Sequence, residues 1–151
     1  MATILINDKV DENLKFKLKD RHDVIEAHYP VNELIDKIKD VDVIIVKSKT
    51  RITKEILDAA KSTNRLRLII RAGVGLDNID VDYAQSKNIK VKNTPNSSTN
   101  AVSELALSYM LLMSRNVMKA NNEMHMGVWN KENHIGNELS GKTLGIIGLG
   151  R

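Results

Sequence analysis

The chain has 151 residues, 42% of them hydrophobic, with no cysteine and a formal net charge of +4. This length allows one domain and part of a second, and the apolar fraction is sufficient for a packed core. The lack of cysteine excludes disulfide frameworks, thiolate metal sites and cysteine nucleophiles.

The positive charge does not by itself predict nucleic-acid binding. Lysines alternate with acids in stretches such as DENLKFKLKD, which is typical of solvated helix faces. One Trp, three Tyr and one Phe are too few for base-stacking surfaces. The N-terminus MATILINDKV lacks the features of a signal peptide, and no apolar run is long enough to predict a membrane span. We therefore expect a cytoplasmic protein that binds neither nucleic acid nor membrane.

Short apolar segments alternate with helical segments from Thr3 to Val91. Segments rich in β-branched residues predict strands, the last of them the weakest: Thr3–Ile6, Val24–Ala27, Val43–Val46, Leu66–Ile70 and Ile89–Val91. The segments between them predict helices: Glu12–Lys19, Asn32–Lys39, Thr53–Lys61 and Val81–Lys87. Strict alternation of strand and helix predicts a parallel sheet covered by helices on both faces. We therefore expect a small α/β domain of the doubly wound, flavodoxin-like type.

The pattern changes after a turn-rich stretch, residues 93–98. One long helical pattern, Thr99–Met126, is followed by a polar loop. The sequence TLGII then predicts a buried strand, Thr143–Ile147, and Gly148 and Gly150 predict the tight turn of a phosphate-binding loop. A full dinucleotide fingerprint also needs a third glycine and a following helix. This segment therefore predicts the beginning of a Rossmann nucleotide-binding domain.

The first candidate site follows the strand VIIV, because ligands of open α/β sheets bind beyond the carboxyl ends of strands. The stretch Lys47-Ser48-Lys49-Thr50-Arg51 offers three cations and two hydroxyls that can hold a carboxylate or a phosphate. The alternative is an ordinary solvated loop before a helix capped by Thr53. Position alone leaves both interpretations open.

The second candidate site is RAGVGLDNID, residues 71–80. Gly73 and Gly75 allow the backbone to approach a ligand closely and to offer amide donors to an anion, and Arg71 adds charged donors beside them. The alternative is a turn that needs glycine only for its dihedral angles. We favour a functional role, because an arginine beside paired glycines serves no obvious packing need.

No metal site is predicted. Asp77, Asp80 and Asp82 lack the glycine and the glutamate that complete an EF-hand loop. Asp80 or Asp82 is expected instead to cap the next helix. The four histidines lie in no spacing typical of a catalytic triad or a metal site.

Three motifs, RAGVGLDNID, NTPNSSTNAVSELAL and ELSGKTLGIIGLGR, occur in that order. Together they resemble the NAD-dependent D-2-hydroxyacid dehydrogenases, and most closely the D-3-phosphoglycerate dehydrogenases among them. The resemblance implies a substrate-binding domain over residues 1–96 and the start of an NAD-binding domain over residues 97–151. It also implies a hinge near Asn96–Ser98 and a homodimer interface on the helix 99–126 and the loop after it.

The resemblance implies roles for residues at matching positions. Gly73 and Gly75 would present amides to the substrate carboxylate. Arg71 and Lys47 would face the substrate phosphate, with Ser48 beside them on the same loop. The resemblance also implies contacts to the cofactor. Val74 would lie against the nicotinamide, and three residues would belong to the pyrophosphate loop: Gly148, Gly150 and Arg151.

The arginine, glutamate and histidine that carry out the chemistry in this family lie beyond the position of Arg151, so no catalytic residue is assigned here. We expect this chain to be the N-terminal part of a longer dehydrogenase and to be inactive in isolation. The implied reaction is oxidation of 3-phosphoglycerate with NAD to 3-phosphohydroxypyruvate, a step of serine biosynthesis. The alternatives are a glyoxylate or hydroxypyruvate reductase on the same scaffold, and a non-catalytic α/β binding module.

Overall fold

The computed structural model of the chain describes residues 1–148 and residue 150. It divides into two units, Met1–Ser97 and Ser98–Arg151.

Five parallel strands form the sheet of the first unit: β1 Thr3–Ile6, β2 Asp23–Glu26, β3 Val43–Val46, β4 Leu68–Arg71 and β5 Lys90–Asn93. The order across the sheet is β2-β1-β3-β4-β5. This is the flavodoxin-like order, so the predicted fold class is confirmed. The bounds of β1 and β3 match the sequence prediction residue for residue, and the other three strands are displaced by one or two residues.

Four helices connect these strands: α1 Glu12–Lys19, α2 Val31–Lys37, α3 Lys54–Thr63 and α4 Val81–Ser86. Helix α2 is shorter than predicted because its last turn tightens into a 3-10 segment, Ile38–Asp40. Asp80 caps α4 as predicted, since its carboxylate accepts a hydrogen bond from the Tyr83 amide. Thr53 occupies the N-cap position of α3 as predicted, but its side chain makes no capping hydrogen bond.

The sheet is buried on both faces, which explains the continuous apolar sequences of its central strands. Leu5, Ile44 and Ile69 occupy matching positions of neighbouring strands and pack on one side with residues of α2 and α3. Ile4 and Ile6 pack on the other side in a smaller cluster. This two-sided packing holds the carboxyl ends of β3 and β4 in a fixed register.

The second unit contains two helices where one was predicted. These are α5 Thr99–Ser114 and α6 Val117–His125, so a continuous helix from Thr99 to Met126 is wrong. Asn116 separates them with a left-handed backbone (φ 54°), a conformation that asparagine tolerates better than most residues. At the break the Ser114 carbonyl accepts a hydrogen bond from the Asn137 amide at 2.7 Å, and the Asn116 side chain donates to the Ile135 carbonyl at 3.2 Å. The loop thus replaces the helical hydrogen bonds that are lost there.

Residues 143–147 form no strand, so that prediction is wrong. A β-strand exists through hydrogen bonds to a neighbouring strand, and none of the described residues pairs with this segment. Leu144, Ile146 and Ile147 are exposed. Within the described ranges, no helix has both the length and the apolar character needed to cross a membrane.

Candidate functional site

Two neighbouring loops follow β3 and β4 at the carboxyl edge of the sheet. Val46 is opposite Arg71 in the β3–β4 register, and the Ala72 amide donates to the Val46 carbonyl at 2.8 Å. The loop that follows Val46 therefore lies beside the loop that follows Arg71. Open parallel sheets bind their ligands at this edge.

The loop after β3 is held by side chains from both adjacent loops. Asp8, which follows β1, accepts hydrogen bonds from the amides of Lys47 and Thr50 at 2.6 and 3.1 Å. It also accepts from the Thr50 hydroxyl at 2.7 Å. Asn78, which follows β4, donates to the carbonyls of Lys47 and Thr50 at 2.7 and 2.6 Å. The backbone is thus fixed at both ends of the loop, while the side chains of Lys47 and Ser48 remain exposed.

Asp8 is buried in an ionised form. Burial by itself raises the pKa of this carboxyl, but the hydrogen bonds from the Thr50 hydroxyl and from the amides of Lys47 and Thr50 outweigh that effect. The nearby His28 acts in the same direction as the hydrogen bonds. The net result is a pKa below the usual range, so the Asp8 carboxylate remains an acceptor for the loop at neutral pH.

Asp8 and Asn78 were missed as site residues by the sequence analysis. Asn7 belongs with them, because its side chain donates to the Thr50 hydroxyl at 2.9 Å and accepts from the Tyr29 amide at 2.9 Å. A signal was present, since Asn7-Asp8 directly follows β1 and therefore lies at the ligand-binding edge. The hydrogen bonds of Asn7 and Asp8 to Thr50, however, are not indicated by any local sequence pattern.

The loop after β4 turns sharply and is tied to residues at the end of β5. The Gly73 amide donates to the Arg71 carbonyl at 2.8 Å. The Thr94 amide donates to the Gly73 carbonyl at 3.0 Å, and the Asn93 side chain donates to the Val74 carbonyl at 2.6 Å. These bonds fix the backbone around Val74, whose side chain is exposed.

Gly73 and Gly75 provide space rather than an unusual backbone conformation. Neither has the left-handed φ that glycine adopts readily. A side chain at Gly73 would overlap the Arg71 guanidinium, and a Cβ atom at Gly75 would lie 2.8 Å from a carboxylate oxygen of Asp77. The two glycines therefore allow Arg71 and Asp77 to lie against the loop.

Cations at this edge lack carboxylate partners. In the part of the chain that the structure describes, four of these side chains form no ion pair: Lys47, Lys49, Arg51 and Arg71. Seven other cations of the first unit pair with acids: Lys15, Lys19, Arg21, Lys39, Arg65, Arg67 and Lys87. Cations elsewhere on this unit, such as Lys17 and Lys61, also form no ion pair among the described residues, so the unpaired cations are notable here because they follow the strand ends. The Arg71 Nε atom is also buried without a hydrogen-bond partner. A buried donor without a partner costs about 1–3 kcal/mol, so a bound anion at Arg71 would be favourable.

A cavity of about 610 Å³ lies farther along these loops and is lined by residues 51–55 and 77–80. Arg51 of the first candidate stretch lines this cavity, whereas the residues with an implied substrate role do not: Lys47, Ser48, Arg71, Gly73, Val74 and Gly75. Among the described residues, no cluster of three or more histidine, cysteine or acidic side chains has the arrangement to hold a metal ion.

The glycine-rich stretch of the second unit is open to a ligand. Gly148 has a φ of +85°, as a tight turn requires, and apart from chain neighbours no atom of the described residues lies within 4 Å of where a side chain would begin at Gly148 or Gly150. An accessible glycine backbone fits a group that is bound through amide donors, such as a pyrophosphate. Arg151, which was predicted to belong to the same loop, lies outside the described residues.

A comparison with protein families identifies the family of this chain. The family described as D-isomer specific 2-hydroxyacid dehydrogenase, catalytic domain, matches residues 4–143. The chain belongs to this family. The resemblance deduced from the three sequence motifs is therefore confirmed.

Two curated 2-hydroxyacid dehydrogenase relatives have different substrate names. The hydroxypyruvate reductase of Thermotoga maritima is 43% identical over 96% of this chain and 47% of its own length. The D-3-phosphoglycerate dehydrogenase of Methanocaldococcus jannaschii is 41% identical over 100% of this chain and 28% of its own length. The chain thus spans about half the length of the first and about a quarter of the second.

A solved structure in the same family has a similar backbone. The NAD+-bound 3-phosphoglycerate dehydrogenase of Entamoeba histolytica is 32% identical, with a TM-score of 0.64 over 76% of this chain and 39% of that chain.

Proposed function

We propose that the protein containing this chain oxidises 3-phosphoglycerate to 3-phosphohydroxypyruvate with NAD, as a step of serine biosynthesis. The observation that carries this proposal is the pair of cations at the sheet edge. Lys47 begins one loop, Arg71 ends the strand before the adjacent loop, and neither has an acidic partner among the described residues. Arg71 also retains a buried donor without a partner. A substrate with both a phosphate and a carboxylate supplies the missing negative charge.

The two loops divide the recognition of this substrate. Arg71 and Lys47 bind the phosphate, since guanidinium and ammonium groups form charge-assisted hydrogen bonds with phosphate oxygens. The Gly75 amide binds the carboxylate, Gly73, whose own amide is used within the turn, allows the backbone to approach it closely, and Ser48 adds a hydroxyl donor on the first loop. The role of this chain is therefore to bind and orient the substrate. The groups that move the proton and the hydride belong to the rest of the protein.

Each unit has its own role in the proposal. Residues 1–96 belong to the substrate-binding domain, and Val74 offers an exposed apolar contact for the nicotinamide ring. Residues 97–151 begin the NAD-binding domain, in which the backbone at Gly148 and Gly150, followed by Arg151, binds the pyrophosphate. When bound, the nicotinamide accepts the electrons that leave the second carbon of the substrate.

We further propose that the protein is a cytoplasmic homodimer that associates through α5, α6 and the loop after them. The apolar side chains of this region are exposed: Val102, Leu105, Leu107, Tyr109, Leu111, Met113, Val117, Met118, Met124, Met126, Val128 and Trp129. An exposed apolar surface of this extent is typical of an interaction site. A symmetric partner would cover it.

A glyoxylate or hydroxypyruvate reductase is the second candidate. The 43% identity to the Thermotoga maritima hydroxypyruvate reductase favours it. Such a substrate has one carboxylate and no phosphate, and would leave one of the two cationic loops without an anion. A non-catalytic binding module is less well supported, because the matching family is that of a catalytic domain.

The test is a comparison of substrates on the full-length protein. Oxidation of 3-phosphoglycerate with NAD is measured beside reduction of hydroxypyruvate and of glyoxylate with NADH. We expect kcat/KM to be highest for the phosphorylated pair in both directions. Higher efficiency with glyoxylate or unphosphorylated hydroxypyruvate would identify the reductase, and no turnover of any 2-hydroxy or 2-oxo acid would favour the binding module.

A further inference from the structure

We propose that Asp8 and Asn78 are positioning residues that set the geometry of the substrate-binding loop at Lys47. The inference rests on the proposed function of that loop in binding the substrate anion. Neither residue is expected to touch the substrate. Both act through the backbone of residues 47–50.

The first support is that the buried polar residues are concentrated in one place. Among the residues that the structure describes, the polar or charged side chains classed as buried are Asn7, Asp8, Thr50 and Asn78, each at most 7% exposed. All four belong to the hydrogen-bond network around the loop after β3. Burial of polar groups is unfavourable unless they are paired, so such a network is expected where geometry matters.

The second support is that the two residues act on opposite polar groups of the same backbone. Asp8 binds the amide hydrogens of Lys47 and Thr50, and Asn78 binds their carbonyl oxygens. The four bonds are between 2.6 and 3.1 Å long. Because Asp8 follows β1 and Asn78 follows β4, the loop on β3 is clamped from both neighbouring strands.

The third support concerns the sign of the charge. A buried carboxylate beneath a loop of cations weakens the attraction of that loop for an anionic substrate. On electrostatic grounds alone Asp8 would therefore be unfavourable for binding. Its hydrogen bonds to the loop explain its presence, since a carboxylate can accept several amide and hydroxyl donors at once while carrying no competing donor.

Loop positioning and charge predict opposite changes in the substrate KM for Asp8→Asn in the full-length enzyme. If Asp8 positions the loop, the amide group of asparagine places a donor against backbone donors, the loop shifts, and the KM of the 2-hydroxy acid rises. We expect a rise of about tenfold, because small displacements of a binding group have effects of this order. The kcat and the KM of the cofactor should stay within about twofold, since loop residues 47–50 carry no step of the reaction. A fall in the substrate KM would show that charge dominates and would overturn the proposal.

Asp42→Asn is the matched control. Asp42 is also a carboxylate that accepts a backbone amide, that of Thr3 at 2.8 Å, but it lies before β3 and therefore at the opposite edge of the sheet. We expect this variant to lower thermal stability without changing the substrate KM. An equal rise in substrate KM for both variants would mean that general loosening of the fold, not loop position, explains the effect.

Asn78→Ala provides a second variant and hydrogen exchange a second measurement. Loss of the Asn78 donors should also raise the substrate KM selectively, whether or not Asp8→Asn folds. In either variant the amides of Lys47 and Thr50 should exchange faster than in the wild type, while exchange in β1 and β3 stays unchanged. Unchanged exchange at these two amides in both variants would overturn the proposal.

The kinetic comparison uses whichever 2-hydroxy acid the wild-type enzyme turns over best. A preference for an unphosphorylated substrate would thus defeat the proposed function and leave the test of Asp8 and Asn78 intact. If no substrate is turned over, the exchange measurement still decides the positioning role.

Discussion

The guanidinium of Arg71 lies directly over the backbone of Gly73, in the space that any side chain at position 73 would occupy. This contact explains both residues together. Glycine is needed because the arginine folds back across its own loop, and the arginine is held there with its Nε buried. The orientation of the Arg71 guanidinium, the proposed phosphate-binding group, therefore depends on the lack of a side chain at Gly73.

Gly73→Ala should displace the Arg71 guanidinium and leave the backbone largely unchanged, since the overlapping atoms are the end of a flexible side chain. We expect the KM for the phosphorylated substrate to rise about tenfold, as a weakened charge-assisted contact would require. Thermal stability should change little. Gly145→Ala is the control, because among the described residues nothing but its chain neighbours lies within 4 Å of the position of its side chain. A large loss of stability with an unchanged KM would contradict the explanation.

Arg71→Ala in the full-length enzyme should raise the KM for 3-phosphoglycerate roughly ten- to a hundredfold, because a charge-assisted hydrogen bond contributes about 1.5–3 kcal/mol. Turnover of an unphosphorylated 2-hydroxy acid should suffer less. The control is Arg67→Ala in the segment before β4, where the side chain pairs with Asp42. If Arg71→Ala reduced activity equally on the phosphorylated and the unphosphorylated substrate, the argument for phosphate recognition would be lost.

Dimer formation should depend on the exposed apolar side chains of α5. We expect the full-length protein to sediment as a dimer or larger species at micromolar concentration, and Met113→Glu to shift it towards monomer. Phe16→Glu is a matched control, because Phe16 is equally exposed at 79% but lies on α1 of the first unit. A wild-type monomer at that concentration would defeat the dimer proposal.

Asp8 should make the stability of the protein depend on pH in the acid range. Its pKa is lowered in the folded state, so its contribution is fully present above the unfolded pKa of about 3.9 and is lost as the pH falls through the lower folded value. Asp8→Asn should therefore reduce the denaturant midpoint at pH 7, and the difference from wild type should shrink below about pH 4. The exposed Asp20→Asn serves as control. If the difference in denaturant midpoint between wild type and Asp8→Asn did not change with pH, ionisation of Asp8 would not be its cause.

The isolated 151-residue chain should neither bind NADH nor oxidise substrate. Residues 143–147 form no strand, so no strand supports the glycine turn that would meet a pyrophosphate in this chain. Titration of the purified chain with NADH, followed by calorimetry, should show no saturable signal. Saturable binding in the micromolar range would mean that the glycine turn suffices.

The sequence by itself determined the features that arise from local pattern. The bounds of β1 and β3 follow from runs of β-branched residues, and the helical character of α2 follows from Leu34, Ile35 and Ile38 at helical spacing. These signals lie within a few residues of each other. The alternation of strands and helices predicted the parallel flavodoxin-like sheet. The strand ends predicted where the loops at Lys47 and Arg71 would lie.

Tertiary structure decided whatever depends on partners distant in sequence. Asp8 and the Lys47 amide are 39 residues apart, and no local signal joins a residue after β1 to the loop after β3. The helix predicted as continuous breaks at Asn116 because residues 135–137 supply replacement hydrogen bonds, and TLGII remains without strand structure because no described strand pairs with it. Periodicity shows which residues are able to form an element, whereas the hydrogen-bond partners that complete it are chosen only when the chain folds.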